Sequence, residues 1–133
     1  MKKPSTAFIV DNRPTILSSM ETTLKSHGFS VRCYNSATAF IPEQDSNQAG
    51  CVLVDPLRST DVDMVLRWLH ESGSLLSIVL ISGLVESLSS VLNWSPSAPI
   101  LQRPHGISAL LLMVADGLAG SVSRQVIRER SQG

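Results

Sequence analysis

The run Gly50-Cys51-Val52-Leu53-Val54-Asp55 constrains this chain more than any other stretch. Four apolar residues in succession, rich in valine and too short for a buried helix, read as a central parallel strand covered on both faces. The acid that closes it falls where an open α/β sheet holds its ligands, in the crevice beyond the carboxyl ends of the strands. A second apolar run, Ala7-Phe8-Ile9-Val10, closes the same way, in Asp11. Two strands delivering acids to one rim point to chemistry there rather than to packing.

Around these strands the pattern alternates. After a first strand at 6–11, a helix at 14–27 carries Ile16, Leu17, Met20 and Leu24 on one stripe, and Gly28 sits where a C′ glycine ends a helix. Residues 29–34 alternate with period two, as an edge or half-covered strand does. A short helix at 36–41 and a polar loop at 42–49 lead into the strand that ends at Asp55. A third helix at 61–72 turns Val62, Val65, Leu66 and Leu69 inward. Strands at 76–81 and 99–102 flank a short helix at 85–93, and a last helix starts near Ile107 and runs to about 129. Five strand–helix units without insertions predict a parallel sheet with helices on both faces. Beyond residue 120 the apolar stripe gives way to basic residues, so 5–120 reads as the domain. Residues 121–133 read as a basic extension of the last helix, frayed or linker-like.

Bulk properties narrow the function. At 133 residues the chain holds one domain. Eleven basic and eleven acidic side chains cancel, which leaves no overall field for nucleic acid or an anionic membrane. No run approaches the ~18 apolar residues of a membrane span. The opening Met1-Lys2-Lys3-Pro4 is not followed by a signal-peptide core, so a cytoplasmic location is expected. Cys33 and Cys51 lack CxxC spacing and read as reduced, buried thiols. His27, His70 and His105 show no catalytic pairing and read as surface residues. Trp68 is a candidate partner contact.

The strand ends together present Asp11 and Asn12, Asp55, Ser82 with Gly83, and Arg103 before Pro104. Acid, acid, hydroxyl and cation in that order suit phosphoryl transfer to a carboxylate. One acid is the nucleophile, its neighbours hold Mg²⁺, and hydroxyl and cation bind the phosphoryl oxygens. Asp61-Val62-Asp63 has the two-acid spacing of haloacid-dehalogenase-type phosphatases, but Arg58-Ser59-Thr60 is not the strand that such a site needs. Neither a GxGxxG turn nor a Ser/Thr/Gly-rich phosphate loop follows the first strand, which excludes dinucleotide and flavin readings.

Over about residues 5–120 these motifs resemble the receiver domain of two-component response regulators, most closely receivers that precede a LuxR-type helix-turn-helix. The resemblance implies a flavodoxin-like five-stranded parallel sheet of order 2-1-3-4-5. It implies Asp55 as phosphoacceptor, and Asp11, Asn12, Asp55 and the Leu57 carbonyl as Mg²⁺ ligands. Ser82, Arg103 and Ile100 stand at the phosphoryl-sensing and switch positions. A histidine kinase or phosphotransfer protein is the implied donor. A downstream protein or a second copy would meet the 85–93 helix, the fifth strand and the last helix, with no direct contact to nucleic acid or membrane.

The departures from the pattern shape the functional expectation. Asn12 replaces the family's second acid; at ~4 Å and an effective dielectric near 20 one lost charge is worth roughly 4 kcal/mol per cation charge before desolvation. Arg103 replaces a lysine, and its planar fork is placed to pair with Asp55 or Asp11 when no phosphate is bound. Ile100 has no ring to rotate, and Pro56 removes a backbone N–H beside the acid. The expectation is a stand-alone, atypical receiver that works through protein–protein interaction, with Mg²⁺ binding weakened or lost and Asp55 phosphorylation impaired. A fully switchable receiver, or the receiver part of a DNA-binding regulator, is the alternative. Enzymatic turnover is not expected.

Overall fold

The computed structural model describes residues 5–55, 59–82, 100–102 and 107–132. Five parallel strands, β1 (Thr6–Val10), β2 (Val31–Tyr34), β3 (Gly50–Val54), β4 (Ser77–Ser82) and β5 (Ile100–Gln102), form one sheet in the order β2-β1-β3-β4-β5. The sheet and its order match the sequence expectation. The expected helix at 85–93 lies outside the described residues.

Both central strands, β1 and β3, are buried at every position, which is why their sequences are continuous apolar runs rather than alternating ones. Alternate residues then serve different layers. Ala7, Ile9, Cys51, Leu53, Val79 and Ile81 pack with α1 (Pro14–Ser26) and α4 (Ile107–Gln132). Phe8, Val10, Val52, Val54, Ile78 and Leu80 pack with α2 (Ala37–Phe40) and α3 (Ser59–Ser72). In that second layer Phe40 meets Phe8, Tyr34 and Trp68 edge-on at centroid distances of 5.6, 5.4 and 5.9 Å. Trp68, half-buried, is thus first an aromatic packing residue.

Local signals set the element ends. Pro14 opens α1 at a position whose N–H needs no helical partner. Gly28, at φ 89°, closes it, with the Phe29 N–H reaching back to the Leu24 carbonyl. Ser36 caps α2 by accepting the Ala39 N–H at 3.2 Å. Pro42 prolongs α2 as one 3₁₀ turn, Ile41–Glu43, where a plain loop was expected.

The last helix differs from expectation. Its basic second half is tied to the amino-terminal edge of the sheet instead of overhanging it. Ser121 is fully buried; its Oγ accepts the Gly50 N–H at 2.8 Å and donates to the Leu75 carbonyl at 2.6 Å. Arg124 donates to Ser77 Oγ at 2.6 Å, and Arg128 donates to the Gly73 carbonyl at 2.6 Å. These residues read as a solvated basic stretch because their partners are backbone carbonyls and a hydroxyl, which leave no trace in a charge pattern. By length and composition Ser108–Ser131 is apolar enough to cross a membrane, contrary to the sequence reading. Here Leu110 and Val114 of the same helix lie in the domain core.

Candidate functional site

The register of the sheet builds the site. Val10 pairs with Val54, so the next residue of each strand, Asp11 and Asp55, leaves the sheet beside the other. Both are 3% exposed. Two like charges so close and so dry need a counter-charge.

Arg13 supplies it. Its Nε donates to Asp11 Oδ1 at 2.9 Å and its Nη2 to Asp11 Oδ2 at 2.6 Å. The same Nη2 donates to Asp55 Oδ2 at 2.8 Å. The Arg13 backbone N–H also reaches Asp11 Oδ1, at 2.9 Å. The local sequence fixes this approach: proline disfavours helical geometry in the residue before it. Arg13, ahead of Pro14, is accordingly extended, at φ −95° and ψ 109°. An extended residue two places after Asp11 brings its guanidinium back across the strand ends. The fork faces the bidentate geometry that carboxylates prefer. Hydrogen bonding to Asp11 raises the Arg13 pKa above its ordinary value, against the opposing effect of burial. The outer side of the guanidinium faces solvent, the side chain being 41% exposed.

The sequence-predicted residues fare differently. Asp11 and Asp55 are brought together. Asn12 is exposed, and Arg13, the residue that precedes α1, makes no side-chain cap. Ser82 closes β4 and pairs in register with Gln102, two residues after Ile100 opens β5. Their backbones therefore stand on the two strands following β3, while their side chains lie outside the described residues, as do Leu57, Gly83 and Arg103 entirely. Asp61 serves the fold, since its Oδ1 accepts the Ala37 N–H at 3.1 Å and anchors the start of α2 to α3. His27 is exposed just past the end of α1, its Nδ1 2.9 Å from the Thr23 carbonyl; His70 is also exposed, and His105 lies outside the described residues.

Sequence reasoning missed Arg13. An arginine between an acid-ended strand and a proline was the available signal; the cation expected at Arg103 lies outside the described residues.

A parallel α/β sheet with two acids at the ends of its adjacent inner strands is the receiver architecture, and comparison with known proteins agrees. No protein-family model matches the chain. It is 33% identical over 81 residues to the response regulator protein TmoT of Ectopseudomonas mendocina, covering 59% of this chain and 36% of that protein. It is 30% identical over 83 residues to the response regulator protein TodT of Pseudomonas putida, covering 61% and 36%. The chain thus spans little more than a third of the length of these curated relatives. Among solved structures, the response regulator StyR superposes with a TM-score of 0.86 at 22% identity, over 98% of this chain and 67% of that one. A response regulator receiver protein from Sinorhizobium medicae superposes with a TM-score of 0.72 at 26% identity, over 90% and 98%. The chain thus has the fold of a response-regulator receiver domain and is similar in sequence to response regulators.

Receivers generally take Mg²⁺ beside the phosphoacceptor, and the donor chemistry here is right in kind, since buried carboxylate oxygens suit a hard cation. The arrangement is not. Both Asp11 oxygens and one Asp55 oxygen are engaged by Arg13. Among the described residues the cavity touching both carboxylates measures about 10 Å³, room for at most about one water molecule. Nor do the described residues contain a cluster of three or more His, Cys, Asp or Glu suited to a metal. As folded, the described residues do not fit a hydrated divalent ion between the two acids.

Proposed function

We propose that this receiver signals through protein–protein contact, with phosphoryl uptake at Asp55 retained but weakened. The observation that supports this reading is the guanidinium of Arg13 on both carboxylates. An acceptor oxygen that already accepts a charge-assisted hydrogen bond is a poorer nucleophile, and the approach to it is narrowed. Asp11 keeps the guanidinium in place, and Asp55 remains the phosphoacceptor. Ser82 and Arg103 take the phosphoryl-sensing positions, and Ile100 the switch position. The donor is a histidine kinase or phosphotransfer protein. β5 and α4 carry the face that a downstream protein or a second copy reads, together with the expected 85–93 helix, which lies outside the described residues. The expected setting is the cytoplasm.

The test is intact mass after incubation with acetyl phosphate and Mg²⁺, beside a receiver that carries both acids. A slow, partial gain of one phosphoryl group, absent in Asp55→Ala, is the expected result. Gain as fast and complete as in the comparison receiver sinks the impaired-acceptor reading.

A further inference from the structure

We infer that Arg13 is a resident cation standing in place of a divalent metal between Asp11 and Asp55, so that the pocket takes no Mg²⁺ until the guanidinium is removed. The inference deepens the reading of Asp55 as a weakened acceptor and rests on that reading for the identity of the pocket.

Three observations carry it. The guanidinium touches both carboxylates at 2.6 to 2.9 Å, the place a bridging ion would need. Among the described residues, one guanidinium against two carboxylates offsets one of the two negative charges that an open acid pair would offer, and a divalent ion's attraction for the pair is cut accordingly. Finally, the cation is part of the chain. Its backbone N–H is bonded to the same Asp11 oxygen, and Pro14 holds the residue extended, so little conformational freedom is lost when the fork closes. An ion that must shed water to reach near-ideal octahedral geometry competes poorly with a group tethered two residues from its partner.

The experiment is calorimetric titration of MgCl₂ alone into wild type, Arg13→Ala and Arg13→Gln, with melting temperatures measured in Mg²⁺ and in EDTA. Wild type is expected to give no saturable heat at millimolar Mg²⁺ and the same melting temperature in both media. Arg13→Ala should gain one site at least about tenfold tighter than anything in wild type, and Mg²⁺ should raise its melting temperature. Arg13→Gln, which keeps bulk and a hydrogen-bond donor, covers the case in which Arg13→Ala does not fold. Mg²⁺ binding by wild type as tight as by the variants overturns the inference, as does a folded variant that gains no site. Phosphoryl gain from acetyl phosphate, followed by mass on the same samples, separates the two claims. Fast uptake by a wild type that ignores Mg²⁺ defeats only the impaired-acceptor reading; slow uptake by a wild type that binds Mg²⁺ defeats only the resident-cation inference.

Discussion

Arg13 is a single residue whose removal changes two others. Asp11 and Asp55 are each 3% exposed, and one guanidinium contacts both. Arg13→Ala should therefore destabilise the domain by about 1–3 kcal/mol at neutral pH, the range for leaving a buried polar group short of a partner. Arg13→Lys separates charge from shape: an ammonium keeps the Coulomb attraction but cannot make the fork that meets Nε and Nη2 contacts at once. It should recover part of the loss and no more, as read from urea midpoints at unchanged m-value. If alanine costs no more than lysine, charge without the fork contributes nothing, and if neither variant costs stability the bridge contributes none. The site was half legible at this scale. Asp11 and Asp55 announced themselves, because an acid ending a doubly buried run has few structural reasons to be there. Arg13 did not, because its importance depends on a backbone turn that one proline sets and on a strand partner 42 residues away.

Elements were easier to read than their attachments. Periodicity placed every described helix and strand to within a few residues, since a parallel α/β layer forces continuous apolar strands and striped helices. What docks α4 was not readable: Ser121, Arg124 and Arg128 look polar in any window, and only the fold supplies their partners. Ser121→Ala should cost about 1–3 kcal/mol, because it strips a buried partner from both the Gly50 N–H and the Leu75 carbonyl. Gly117 marks how closely α4 lies on the sheet. A Cβ there would stand 2.9 Å from Cys51 Sγ and 3.5 Å from Ser77 Cβ. Alanine is the better helix former by up to about 1 kcal/mol, yet overpacking of this kind costs about 1–3 kcal/mol, so Gly117→Ala should be net destabilising. In a Cys51→Ala background the sulfur is gone, and the same change should turn neutral or stabilising. A double-mutant cycle by chemical denaturation measures that coupling; additivity would mean that Cys51 is not what the helix rests on.

For the molecule as a whole, the sheet's dry interior makes stability depend on alkaline pH through its two thiols. Burial raises Cys51 from 9.0 to about 12 and is the leading cause that lifts Cys33 from 9.0 to about 11. Both are free cysteines, so at neutral pH both are neutral folded or unfolded, and neither affects the balance. Above pH 9 the unfolded chain releases these protons while the folded chain keeps them. Stability therefore stays whole below pH 9 and is lost as pH rises, through about 11 for Cys33 and about 12 for Cys51. A fully buried thiol in that window contributes a slope of about 1.4 kcal/mol per pH unit; Cys33, only half-buried, contributes less. Unfolding free energies measured across pH 8 to 11 should fall more steeply in wild type than in Cys51→Ala. Native Cys51 should likewise resist a thiol-specific reagent at pH 8 and react as soon as denaturant opens the sheet. Parallel slopes, or ready reaction of the native protein, would mean that α4 leaves the sheet often enough to wet β3. The helix that shields the thiol ends at the same sheet edge that Ser121 and Arg124 hold, so loosening it through Ser121→Ala should speed that reaction as well.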